Sequence, residues 1–197
     1  MVKTDNEKRL LRFLIRHFAE NYSINQLAKQ LDLTPKGMHK LLKRLEQQGI
    51  VKPQRMANAV FYKINFNSDL ARKSVELSLF EEIEQPFARV QAKDFERLRP
   101  MARAAVLFGS VLVKGEKAED IDIMVILEKK KYHAFQKELG KLKAIKTKRI
   151  HSVIQLPEDF AKNLQKRDKV LFEILKAGKI LWGQEVIVEA IMRMAES

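Results

Sequence analysis

Residues 107–127 read LFGSVLVKGEKAEDIDIMVIL, and this stretch decides how the larger part of the chain folds. An apolar run over 104–108 enters Gly109-Ser110, and nine residues later Asp120-Ile121-Asp122 opens a second apolar run through Leu127. The pattern predicts two strands either side of a Gly-Ser turn. Side chains two apart on a strand share a face, so Asp120 and Asp122 point one way while Ile121 and Ile123 point the other, into a core. Two carboxylates beside a turn small enough for backbone N–H groups to approach an anion suit a hard cation with phosphate. The plainer reading of the pair is a polar strand edge facing solvent.

Working outward toward the C-terminus, strands and helices alternate. A Lys-rich helix is expected over about 131–143 and a third strand over 150–156. Pro157-Glu158-Asp159 reads as a helix start, with acidic groups near the positive end of its dipole. Asp168 is a cap for a helix over 169–176 that Gly178 ends; a short strand at 180–182 and a last helix over 186–194 follow. Alternation of this kind indicates a small α/β or α+β domain. The stretch 141–149 is dense in Lys and Arg. It reads either as an exposed loop between helix and strand or as a contact for a phosphate-rich partner.

Toward the N-terminus the period changes from two to 3.6. Leu10, Leu11, Phe13, Leu14, Ile15 and Phe18 form an apolar stripe within 6–20. Ser23 caps a second helix over 24–31. Thr34-Pro35 reads as an N-cap followed by a first-turn proline, starting a third helix to about Gln48, with Met38, Leu41, Leu42 and Leu45 as its buried stripe. Gly49 stops it, and two short strands, 50–54 and 60–65, flank a loop at 55–59. Between the two regions, 67–99 has helical spacing interrupted by Pro86, which suggests two helices. The first carries more apolar surface than a linker needs, so it either pairs with a second copy of the chain or packs on its own domains.

The 197 residues suffice for two small domains, and 46% hydrophobic content allows a buried core. The absence of cysteine excludes disulfides, thiolate chemistry and cysteine-ligated zinc. No apolar run approaches the roughly 20 residues of a membrane span. The segment MVKTDNEKRL lacks an apolar signal-peptide core, so a cytoplasmic location is expected. The net charge is +13, and it is uneven: residues 1–66 carry 13 Lys and Arg against 5 Asp and Glu. A basic segment favours a polyanion such as nucleic acid; the alternative is a solvated lysine-rich surface.

Three helices followed by a β-hairpin is a winged helix-turn-helix pattern. The stretch SINQLAKQLDLTPKGMHKLLKRLEQQGIVKP closely resembles the winged-helix regulators that include the MarR-like repressors. The resemblance implies that the third helix enters the major groove of double-stranded DNA. Lys36, His39, Lys40, Lys43 and Arg44 lie off its buried stripe and would contact base edges and phosphates, with Arg55 and Asn58 reaching the backbone or minor groove from the wing. Winged helices also serve as protein-binding modules.

The combination of Phe108-Gly109-Ser110 with Asp120-Ile121-Asp122-Ile123 resembles the signature of the DNA-polymerase-β-like nucleotidyltransferase superfamily. The tail from Glu173 to Gly183, with its Gly178-Lys179-Ile180-Leu181-Trp182-Gly183, resembles the end of the superfamily's minimal members. The implied fold class is α+β: a winged helix at 1–66, a helical connector at 67–99, and a nucleotidyltransferase-like mixed sheet with flanking helices at 100–197. By the same resemblance Gly109 and Ser110 would hold nucleotide phosphates, and Asp120 and Asp122 would bind two Mg²⁺ ions as the catalytic metal ligands. Two departures stand out. Active members carry a third carboxylate on a later strand, where this chain offers only His151 and Gln155. The residue before the glycine of 111–115 is Lys114 where arginine is usual. The expectation is a DNA-binding, homodimeric transcription regulator whose second domain binds a Mg²⁺–nucleotide, an NTP, or another ligand. The alternatives are an active nucleotidyltransferase acting on a protein, RNA or small molecule, and a non-catalytic interaction module.

Overall fold

The structure, a computed structural model, describes residues 4–56 and 59–196. It divides into two units, Met1–Phe80 and Glu81–Ser197.

The first unit begins with three helices, each started by a local signal. Thr4 and Glu7 form a reciprocal capping box on α1 (Asp5–Arg16), and Ser23 and Gln26 do the same for α2 (Ile24–Gln30). On α3 (Pro35–Gln47) the Thr34 hydroxyl accepts the Gly37 N–H at 3.1 Å, and Pro35 occupies the first turn, where no N–H is needed. Leu10, Leu11, Leu27, Met38, Leu42 and Leu45 form the core between them. Strands β1 (Val51–Met56) and β2 (Ala59–Ile64) pair antiparallel, and after Val51 every residue of β1 is exposed. β1 is therefore the outer strand of the hairpin, while β2 packs Tyr62 and Ile64 inward, and strand structure reaches through Met56 and resumes at Ala59, inside the expected 55–59 loop. Helix α4 (Asp69–Ser78), capped by Ser68, packs Ala71 and Val75 inward and lies against α1.

The first helix of the second unit is α5 (Pro86–Phe95), so the 67–99 segment is shared between the units rather than standing apart. Then follow β3 (Ala104–Phe108), a single turn α6 (Val111–Lys114), β4 (Asp120–Ile126), α7 (Tyr132–Ile145), β5 (Arg149–Gln155), α8 (Pro157–Gln165), α9 (Lys169–Ala177), β6 (Lys179–Trp182) and α10 (Gln184–Glu196). The sheet runs β5-β4-β3-β6; β4 and β5 are parallel, joined through α7, and the other pairs are antiparallel. Ile121, Ile123 and Val125 leave β4 on one face and pack with Phe95, Phe135 and Leu139. On the opposite face Met124 and Ile126 are also buried, the latter near Phe160 of α8. Burial on both faces explains why β4 reads as a continuous apolar run after Asp122. Asp120 and Asp122 share the face of Met124 and Ile126 but lie at the open, N-terminal end of the strand.

Candidate functional site

Strand register assembles the site. In the parallel β4–β5 pair, Asp122 lies opposite His151 and Asp120 opposite Arg149. Residues in register share a face, so His151 comes to the two carboxylates without any loop to carry it. Its Nδ1 is 3.2 Å from Asp120 Oδ2 and 3.5 Å from Asp122 Oδ1. One ligand atom from each of the three side chains falls within a 4.8 Å cluster. Arg149 and Gln155 share that strand face with His151; Gln155 is at the far end, where its Oε1 accepts from Asn163 Nδ2 at 2.9 Å.

Gly109 leaves room for one carboxylate. Its φ of +79° lies in the left-handed region, and a Cβ there would overlap Asp122 Oδ2 and come 3.1 Å from its Cγ. Glycine is thus required both by the backbone conformation and by the close approach. Ser110 follows in helical geometry, its carbonyl accepting the Lys114 N–H at 2.7 Å, while its hydroxyl caps nothing.

Burial pushes the Asp122 carboxyl above its ordinary range, the charge of Asp120 adds to this, and His151 opposes it. In a chain of net charge +13, no lysine or arginine among the described residues forms an ion pair with either carboxylate. The donor set suits one cation held between two carboxylates. It does not fit a pair of Mg²⁺ ions, because the third group at the site is an imidazole and Mg²⁺ prefers oxygen. Glu158 and Asp159 do not fill the gap: they begin α8, and Asp159 lines a cavity with Ser152 and Ile154, which alternate with His151 on the other side of β5.

The expected DNA-contacting residues divide into two groups. Lys36, His39 and Lys40 are exposed along α3. Lys43 and Arg44 are exposed too, but engaged: Lys43 Nζ is 3.0 Å from Glu46, which raises the lysine pKa, and Arg44 Nε is 3.2 Å from Glu7 Oε1. Glu7 is buried, and its second oxygen accepts the Thr4 N–H at 2.8 Å. The Thr-x-x-Glu spacing signals this capping role in the sequence; the bridge to α3 has no sequence signal. Arg55 is exposed on β1 opposite Val60, and Asn58 lies outside the described residues. In the basic stretch 141–149, Lys146 binds Asp94 and Gln91, and Lys148 donates to the Ala118 carbonyl at 2.6 Å, so these two cations serve the domain's own packing.

Residues 4–57 match the family model for the MarR family, and residues 91–185 match that for polymerase beta, nucleotidyltransferase. Among solved structures, the chain is similar to MepR, a transcription regulator of the Staphylococcus aureus multidrug efflux pump MepA, at 16% identity over 72% of this chain and 78% of that one, with a TM-score of 0.35. It is also similar to ZitR of Lactococcus lactis, a zinc-responsive MarR family member, at 22% identity over 51% of this chain and 76% of that one, with a TM-score of 0.32. No curated protein matches the chain.

Proposed function

We propose that this chain, a MarR-like winged helix joined to a nucleotidyltransferase-like domain, is a DNA-binding transcription regulator whose second domain binds a divalent cation with a nucleotide. The observation that carries the reading is the exposed basic ridge of α3, formed by Lys36, His39 and Lys40, together with the exposed strand β1 that carries Arg55. A helix with a buried Met38–Leu45 stripe and a basic outer face is shaped to lie along a groove and its phosphates. In the second domain, Asp120 and Asp122 would hold Mg²⁺ as the ion that bridges them to the phosphates of an NTP, with the Gly109-Ser110 turn receiving those phosphates. A homodimer is part of the reading, supported by Leu70 and Leu77, which are exposed seven residues apart along α4. The location that goes with it is the cytoplasm; no described helix is long and apolar enough to cross a membrane.

The test is selection of genomic fragments by the full chain at physiological salt, followed by titration of the selected duplex with and without saturating Mg²⁺–NTP. Sequence-selective retention lost in Lys36→Ala/Lys40→Ala supports the regulator, and retention of no duplex refutes it. The convergence of Asp120 and Asp122 beside Gly109 favours a second reading, active nucleotidyl transfer. Label transfer from NTP to a host acceptor, lost in Asp120→Asn/Asp122→Asn, would establish that activity.

A further inference from the structure

We propose that His151 is a direct ligand of the cation at Asp120 and Asp122, and that its nitrogen shifts the site's preference from Mg²⁺ to a divalent first-row transition ion. The inference rests on the cation-binding reading of this site and adds the identity of the ion. Three observations carry it. The β4–β5 register sets His151 opposite Asp122, and Nδ1 lies within 3.5 Å of an oxygen of each carboxylate. Gly109 leaves the space that the Asp122 carboxylate occupies beside the turn, since a Cβ there would overlap Asp122 Oδ2. Two carboxylates stand together in a strongly basic chain, yet no lysine or arginine among the described residues pairs with them. Two carboxylates match a 2+ charge, and the third donor is imidazole. Mg²⁺ loses its water reluctantly and takes oxygen ligands, whereas ions from Mn²⁺ onward accept mixed oxygen and nitrogen sets with rising affinity.

The probe is Mn²⁺, titrated into the metal-free full chain and followed by electron paramagnetic resonance, with Mg²⁺ as competitor. The variants are His151→Ala, His151→Asp and Asp122→Asn. The wild type is expected to bind Mn²⁺ with spin-echo modulation from a coordinated nitrogen. His151→Ala should lose that modulation and about tenfold in Mn²⁺ affinity with little change for Mg²⁺. His151→Asp should make Mg²⁺ a better competitor by about tenfold. Asp122→Asn should weaken both ions. If Mn²⁺ binds without nitrogen modulation and the Mn²⁺/Mg²⁺ ratio is the same in all three histidine backgrounds, His151 is not a ligand, while the carboxylate site stands. If the wild type binds neither ion, the cation-binding reading itself fails and the inference with it.

Discussion

Gly109 leaves the space that the Asp122 carboxylate occupies, and that makes both positions testable. Gly109→Ala adds a methyl to a backbone held at φ +79° and drives it into the Asp122 carboxylate. The expected result is a loss of about 1–3 kcal/mol in urea denaturation together with loss of cation binding, since the carboxylate must move. Asp122 gives a pH prediction. Its folded-state pKa lies above the ordinary value of 3.8, because burial and Asp120 disfavour the charge. The folded state therefore binds the proton more tightly than the unfolded state. Stability is undiminished below the unfolded pKa, declines as pH rises through the folded one, and stays reduced at neutral pH. Asparagine carries no charge to penalise, so metal-free Asp122→Asn should melt higher than wild type at pH 7, with the gain vanishing as pH falls below the ordinary carboxyl value. An unchanged or lower melting temperature at pH 7 would mean that His151 offsets the burial and repulsion entirely.

Helix α3 has an outer face of two kinds, and the distinction separates contact residues from structural ones. Arg44 is tied to the buried Glu7, so Arg44→Ala leaves a buried carboxylate without its cation and should lower stability by about 1–3 kcal/mol. Lys36→Ala and Lys40→Ala remove exposed charges, so denaturation should change by no more than about 0.5 kcal/mol while duplex affinity falls. The comparison needs only melts and fluorescence anisotropy on the same proteins. The Arg44–Glu7 bridge also shows where the sequence was legible. Helix starts rest on signals three residues long, and Ser23, Thr34 and Asp168 all act as the N-caps their context announces. The Asp120–Asp122 pair was equally plain, because alternation is local. Arg44's partner, by contrast, comes from another helix. The sequence offers His151 and Gln155 alike in place of a third carboxylate; the β4–β5 register is what separates the two. Helix α6 is a single turn, too short for a period to show. Strand β1 is exposed on both sides, so no burial pattern marked the end of that strand. Pro86 announced a break between helices, but only packing assigns α4 to the first unit and α5 to the second.

At the scale of the whole chain, a net charge of +13 and the proposed ligand site make two linked predictions about DNA. Phosphate contacts release counterions, so the slope of log affinity against log salt counts them. Lys36→Ala and Lys40→Ala should each flatten it by about 0.9 if the side chain meets a phosphate, and leave it unchanged if it meets only a base edge. The second concerns communication between the units. A bound cation–nucleotide changes DNA affinity only if it binds the DNA-competent and DNA-incompetent states unequally. Coupling between sites in one protein is typically about 5–150-fold, and it must be reciprocal. Saturating nucleotide with Mn²⁺ or Mg²⁺ should therefore shift the duplex dissociation constant by the same factor by which saturating duplex shifts that of the nucleotide. Asp120→Asn/Asp122→Asn should abolish both shifts while leaving DNA affinity in the absence of ligand intact. Two anisotropy titrations, one with labelled duplex and one with labelled nucleotide, measure both arms. Equal factors different from one establish a ligand-controlled regulator. Tight nucleotide binding with no shift in either arm would instead mean that the domains are merely tethered, and weight would pass to the transfer reaction as the role of the second domain.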